Sequence, residues 1–345
     1  MSKKLRIGVL GLSHDHVWSN LRDLNMSARG ELIAAADPNP PLLEKVQREY
    51  RCPQVHGSYD ELLARDDLDA VYVYADNATG AALAVQAAAR GLHILVEKPM
   101  AATLAQANQM LAAARTAGVQ LMVNWPTAWW PAFAHGLTLA RRGEIGQIYQ
   151  TYYRSAHAGP KEVGCSTYFY NWLYDAKRNG AGALMDYCCY GAALAAYLLG
   201  LPSRVTGVAG RLVKEYITVD DNAIILMEYP RAIGVTMASW TQIGHLTSYV
   251  PTLYGSEGTL VVEPNRLLLA DRQHQDGIEV PVPELGPDER NATEYFLARI
   301  ADGRPIEGLC SPTVGRDAQE ILEAGLLSVQ RGQAISLPIP ISLIQ

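Results

Sequence analysis

The chain has 345 residues and a formal charge of −6, which puts it above the size at which one core usually suffices and makes two domains the expectation. The acidic balance and the lack of a dense Lys/Arg block argue against a nucleic-acid or anionic-membrane partner, leaving small neutral or polar ligands open. No apolar run approaches a membrane span, and the apolar stretch 7–12 is followed by His14, Asp15 and His16 rather than a cleavage site, so a cytoplasmic location is expected.

In chain order, strand-length apolar runs at 5–10, 31–36, 70–74, 94–96 and 120–123 alternate with helical spacing over 16–29, 41–50, 59–65, 78–90 and 103–117. Pro41 suits a first helical turn, and Gly91 and Gly118 stand where helices stop. This alternation predicts an α/β, Rossmann-like domain over 1–124, with a parallel, doubly wound sheet and right-handed crossovers. The aromatic and proline-rich joint 124–133 marks the boundary. Beyond it, 125–345 reads as an α+β domain. A helix is expected over 133–142, a strand over 148–155, an irregular segment to Gly182 and an Ala-rich helix over 183–199. Strands follow at 203–213, 222–229, 232–241, 248–255, 259–262 and 266–270, then a closing helix over 313–330 and a tail at 335–339. They imply a large, mostly antiparallel open sheet, which needs cover on both faces and so predicts a homo-oligomer, dimer or tetramer. The cysteines, at 52, 165, 188, 189 and 310, lack paired-ligand spacing and are expected to be reduced. Eighteen tyrosines against three phenylalanines supply hydroxyl-bearing rings able to line a polar pocket.

Three stretches carry chemistry. The run 93–100 (HILVEKPM) is an apolar strand ending in Glu97, Lys98 and Pro99. Charges held by a proline at a strand's carboxyl end lie where ligands of open α/β sheets gather, although a solvated Lys/Glu turn reads the same way. After the first strand a dinucleotide fingerprint wants three glycines; here Gly11 holds the first position, Ser13 the second and His16 the third. The helix amino end and the Ser13 hydroxyl can still meet an anion, and a plain β-turn-α connection explains the loop equally well. Asp37 ends the second strand, where a carboxylate can accept hydrogen bonds from an adenosine ribose and repel a 2′-phosphate. With no arginine in 38–41, NAD is favoured over NADP, unless Asp37 simply caps a turn.

Together these features resemble the glucose–fructose oxidoreductase / inositol dehydrogenase / MocA (Gfo/Idh/MocA) family, over nearly the whole chain. The motifs are Glu97-Lys98-Pro99, Gly143-Glu144-Ile145-Gly146, Gly180-Ala181-Gly182-Ala183-Leu184-Met185-Asp186, Asp221-Asn222-Ala223, Ser239-Trp240 and Gly255-Ser256-Glu257-Gly258-Thr259. The resemblance implies an NAD-dependent oxidoreductase acting on a hydroxyl-bearing carbon of a sugar, polyol or related cyclic alcohol. It places Lys98 beside the nicotinamide and the reacting carbon, with Pro99 fixing the loop and Glu97 holding it. The family's D-x-G-x-H helix motif reads here Asp186-Tyr187-Cys188-Cys189-Tyr190, so tyrosine replaces the usual proton acceptor, as in some members. Cys188 at the glycine position would tighten packing near the nicotinamide.

An ammonium beside a phenol lowers its pKa, so Lys98 is expected to help Tyr190 accept a substrate proton, with Asp186 one turn earlier binding substrate or orienting Lys98. Otherwise Tyr190 is an ordinary half-buried tyrosine and Asp186 a helix-start carboxylate. Arg154, His157, Trp172 and Lys177 are candidate substrate contacts, with Tyr170 and Asn171 beside them. His14 and His16 read as helix-start residues or as groups near the cofactor phosphates, and no metal is expected. Asn77 is a further cofactor candidate, although Gly80 stands near the place of a histidine usual in the family. Two other functions remain in view: a nucleotide-binding sensor without turnover, and redox-neutral sugar chemistry with tightly bound NAD.

Overall fold

The computed structural model describes residues 4–340. Among them, six parallel strands form the first sheet: β1 (Leu5–Leu10), β2 (Gly30–Ala36), β3 (Val55–His56), β4 (Ala70–Val73), β5 (His93–Glu97) and β6 (Leu121–Asn124). Their order, β3-β2-β1-β4-β5-β6, reverses direction between β1 and β4. That reversal opens a crevice at the carboxyl ends of the strands. β3 was not expected, because two residues are too short to show alternation. Helix Leu104–Ala117 starts at a Thr103/Gln106 capping box and stops at Gly118, whose φ is +67°.

A second sheet, nine-stranded among the described residues, takes β7 (Ile148–Ala156), β8 (Arg204–Gly210), β9 (Asn222–Tyr229), β10 (Ala232–Ser239), β11 (Thr252–Gly255), β12 (Gly258–Val262), β13 (Leu267–Asp271), β14 (Ile278–Val280) and β15 (Ile335–Ser336). Neighbours are antiparallel except β7 and β10, which run parallel at the sheet's centre. Helix Ala183–Leu199 lies on β7 and β10 so closely that a Cβ on Gly191 would sit 2.4 Å from Thr236. Helix Pro312–Arg331 covers β8 on the same side, where Gly207 N–H donates to Ser328 Oγ at 3.0 Å. The opposite face leaves Val208, Ile224, Leu226 and Ile233 exposed, the outward half of a period-2 alternation.

Three features depart from expectation. The irregular stretch before Gly182 contains two short helices, Thr167–Leu173 and Ala176–Asn179. A helix not read from the sequence, Ala292–Ala301, returns from the second half to the first sheet. Its Thr293 accepts from the Tyr72 hydroxyl at 3.2 Å, Glu294 pairs with Arg29 at 2.8 Å, and a Cβ on Gly30 would meet Leu297 at 2.8 Å. The stretch Ala176–Leu199 is long and apolar enough to cross a membrane, but 83% of its apolar window is buried in the protein, as befits a core helix. All five cysteines are free.

Candidate functional site

The nucleotide loop begins where β1 ends. Gly11 has φ +87°, and a Cβ there would lie 2.4 Å from Ala75 N, so only glycine lets this turn approach the end of β4. Asp37, at the end of β2, is fully buried: Oδ2 accepts from Leu12 N–H at 2.6 Å, and Oδ1 from the backbone and side-chain N–H groups of Asn39 at 2.8 and 2.7 Å. Burial raises its pKa against those donors. Three donors therefore hold the Asp37 carboxylate, which braces the turn between β1 and the end of β2. Its neighbour Asn39 lines the cleft.

That cleft is a cavity of about 520 Å³. Ser13, Asn39, Asp76 and Thr79 face it from the first domain, Asn171 and Arg178 from the second. Asp76 caps helix Asn77–Ala89 by accepting from Thr79 N–H at 3.0 Å, and its other oxygen takes Arg178 Nε and Nη2 at 3.1 and 2.9 Å. Asn77 is turned away from the cavity wall and donates to the Asn179 side chain at 2.8 Å, joining the two domains. Lys177 and Arg178 are both exposed, and it is Arg178, one position on from the expected residue, that lines the cleft.

At the tip of β5, Glu97 is buried and takes a hydrogen bond from Asn124 Nδ2 at 2.5 Å. Its second oxygen lies 3.1 Å from His16 Nδ1 and accepts from Lys98 N–H at 3.3 Å. His14 is buried, and its ring centroid is 4.3 Å from Phe169 and 5.7 Å from Trp172. Burial pushes its pKa well down, keeping the imidazole neutral. His14, His16 and Glu97 bring two imidazoles and a carboxylate within 4.8 Å of one another. His14 Nδ1 is already taken by His16 N–H at 3.3 Å and His16 Nδ1 by Glu97, so hydrogen bonds account for the cluster. Trp172, a candidate substrate contact, instead packs over this loop. Just before its helix, Ser166 donates through N–H and Oγ to Asp15, both at 2.6 Å.

Lys98 and Asp186 meet, although 88 positions separate them: Nζ to Oδ1 is 2.5 Å, and Nζ also reaches the Asp186 carbonyl at 3.1 Å. Both are almost wholly buried, and Asp186 Oδ2 accepts from Trp240 Nε1 at 3.2 Å. Although burial opposes it, the Asp186 carboxylate wins and holds Lys98 protonated, above the usual ammonium range. Tyr190 sits beside the pair, its ring centroid 5.1 Å from Lys98 Nζ. The expected lowering of its phenol is not what the geometry gives. Burial, then nearby Tyr249, Cys189 and Asp186, push Tyr190 well above the ordinary tyrosine range. A buried phenol shifted in this direction keeps its proton at physiological pH and is a hydrogen-bond donor.

Aromatic rings wall this end. Tyr249 lies 5.7 Å from Tyr190, and Trp125 and Tyr153 each 6.1 Å from it. Tyr249 went unread in the sequence: it stands in a loop at φ +56°, a conformation that no pattern signals in a tyrosine. His157, at the end of β7, stacks on Tyr187 at 4.8 Å, and burial lowers its pKa to about 4. Arg154 differs from expectation. Alternation along β7 puts it on the face opposite Tyr153, and its Nε donates to Gln242 at 3.0 Å. Cys188 also faces elsewhere: its thiol donates to Thr236 O at 3.8 Å, against the sheet.

Comparison with known proteins agrees with this architecture. Residues 5–125 match the oxidoreductase family with an NAD-binding Rossmann fold, and residues 137–261 match the GFO/IDH/MocA C-terminal domain. The chain is 26% identical over 314 residues to a dTDP-3,4-didehydro-2,6-dideoxy-alpha-D-glucose 3-reductase of Streptomyces antibioticus, covering 88% of this chain and 90% of that one. It is 29% identical over 263 residues to an NADP(+) scyllo-inositol 2-dehydrogenase of Bacillus subtilis, covering 71% and 73%. Levoglucosan dehydrogenase, solved with NADH and levoglucosan, superposes with a TM-score of 0.83 at 21% identity over 97% of this chain and all of the other. The two matched domains, in this order and joined through the Lys98–Asp186 contact, make the chain a member of the Gfo/Idh/MocA oxidoreductase family.

Proposed function

We propose that the protein is an NAD-dependent dehydrogenase or reductase that interconverts a secondary hydroxyl and a ketone on a sugar, polyol or related cyclic alcohol. The observation that carries this reading is the buried Lys98–Asp186 pair against Tyr190, at the carboxyl tip of β5 in the first sheet. The residues present fit a dinucleotide. Gly11 makes the tight approach, the cleft is lined mainly by polar side chains, and Asn39 on its wall is the residue we assign to a ribose hydroxyl. NAD is preferred to NADP because the 38–41 turn offers no arginine to a 2′-phosphate. Bound there, the nicotinamide supplies the hydride donor or acceptor.

The side chains then have separate tasks. Tyr190, neutral, hydrogen-bonds the substrate oxygen and gives its proton as a carbonyl is reduced; oxidation is the reverse step, in which the Tyr190 phenolate takes the proton of the substrate hydroxyl as hydride leaves the carbon for the nicotinamide. Lys98 supplies fixed positive charge near that oxygen, and Asp186 with Trp240 fixes where the ammonium points. Glu97 holds the strand tip through Asn124 and His16. Aromatic walls and neutral His157 suit the apolar faces and hydroxyl edges of a carbohydrate.

The test is a panel of sugars, polyols and their keto forms with NAD or NADH, followed by absorbance of reduced nicotinamide. The expected result is turnover with at least one member and NAD preferred over NADP. A chain that binds NADH but makes product without net reduction points to the redox-neutral reading. That second reading has its own support in the Asp15–Ser166 bonds and the Phe169 and Trp172 rings closed over the nucleotide loop, which favour a retained cofactor. The regulatory reading without turnover loses weight against an intact Lys98–Asp186–Tyr190 arrangement.

The exposed apolar face of the second sheet supports a homodimer. Val208, Ile224, Leu226 and Ile233 are at its centre. Leu226→Asp is expected to convert a dimer to a monomer in sedimentation velocity at micromolar concentration, and a wild type already monomeric there excludes this interface.

A further inference from the structure

We infer that Arg178, carried by the second domain, is the charged group that holds the diphosphate of the dinucleotide, replacing much of what a glycine-rich loop supplies. The inference rests on the dinucleotide reading above.

Four N–H groups of the β1 turn are spent within the protein, and those of Ser13 and Asp15 are not among them. Gly11 N–H donates to Ala36 O at 2.8 Å, Leu12 N–H to Asp37 at 2.6 Å, His14 N–H to Tyr74 O at 3.0 Å and His16 N–H to His14 Nδ1 at 3.3 Å. A fingerprint turn holds a pyrophosphate with backbone N–H groups directed outward, and these four are directed inward. The cleft beyond them holds a single cation among the described residues, Arg178, and a single anion, Asp76.

The two are paired, and the geometry of the pair matters. Arg178 uses Nε and Nη2 on one oxygen of Asp76, so the Nη1 edge of the guanidinium is not spent on that carboxylate. Asp76 is held in place as the cap of helix Asn77–Ala89, and without Arg178 its charge would face an incoming diphosphate unopposed. The arginine therefore does two things: it cancels a fixed repulsion and offers planar N–H donors to phosphate oxygens. Its backbone is anchored one residue later. Asn179 is fully buried, takes Asn77 Nδ2 on its side-chain oxygen at 2.8 Å and donates to Ala181 O at 2.7 Å. A phosphate bound at Arg178 thus bridges the domains beside an existing interdomain lock.

The ligand class is a nucleoside diphosphate moiety, and the experiment separates it from the nicotinamide. Full-length wild type, Arg178→Gln and Arg178→Lys are titrated calorimetrically with NADH, with ADP-ribose and with adenosine, and far-ultraviolet circular dichroism checks the fold. Arg178→Gln should weaken NADH and ADP-ribose about 10- to 100-fold, with adenosine changed by less than about twofold. Arg178→Lys should recover part of that loss. Adding Asp76→Asn to Arg178→Gln keeps a capping side chain and should also restore part of it, because repulsion is removed. Equal ADP-ribose affinity in wild type and a folded Arg178→Gln overturns the inference, as does an equal loss for adenosine. A wild type that binds neither NADH nor ADP-ribose overturns the dinucleotide reading itself.

Discussion

Lys98→Met is expected to lower turnover about a thousand-fold while NADH affinity, read by fluorescence titration, stays within about threefold of wild type. The side chain is 3% exposed and its ammonium is committed to Asp186. Removing it strips fixed charge from beside the substrate oxygen and leaves a carboxylate buried without its cation, which costs about 3–5 kcal/mol of stability. The two effects can be separated. Lys98→Met combined with Asp186→Asn should regain stability in urea unfolding without regaining turnover. Turnover that survives Lys98→Met would remove the assignment.

Tyr190→Phe should cut turnover about a hundred- to ten-thousand-fold in both directions. The ring remains against Trp125, Tyr153 and Tyr249, so little packing is lost and cofactor binding should hold. Its pH behaviour follows from the sign of the shift. Burial raises the phenol, so ketone reduction should be flat through neutral pH and fall only when Tyr190 ionises in strong alkali. The raised value also means that the folded state favours the protonated form. This stability is fully present below a tyrosine's ordinary pKa of about 10 and is lost as pH rises beyond it. Alkaline unfolding should therefore be shallower in Tyr190→Phe; an unchanged alkaline profile together with unchanged turnover would return Tyr190 to the status of a packing residue.

Period and punctuation explain which parts were readable in advance. The parallel sheet emerged from alternating strand-length and helical runs, and the strand tip at Glu97-Lys98-Pro99 from a proline after an apolar run. Helix Ala183–Leu199 was readable end to end because a mostly apolar, Ala-rich stretch, interrupted by Asp186 and Gly191, runs between Gly182 and Gly200. What stayed hidden depends on contacts between distant segments. Trp240 holds Asp186 from across the second domain, Tyr249 arrives on a loop, and Arg178 is distinguished from Lys177 only by which way a one-turn helix faces. Arg154 shows the converse. Strand alternation already contained the information that it and Tyr153 face opposite ways, and tying Tyr153 to Tyr190 decides which face belongs to the site. The phenol of Tyr190 was misjudged because its deep burial, with Tyr249 beside it, outweighs the nearby ammonium, and burial of that depth emerges only from the folded chain.

The return of helix Ala292–Ala301 to the first sheet bears on how the molecule is made. Phe296 and Leu297 are wholly buried, with Phe296 6.0 Å from the Tyr72 ring and Leu297 over Gly30. On a ribosome the six strands of the nucleotide sheet emerge long before this helix does. Throughout synthesis of the second domain that surface therefore lacks its last layer. The two halves ripen together, and the first sheet is completed only after the strands of the second, from β7 to β14, have been translated.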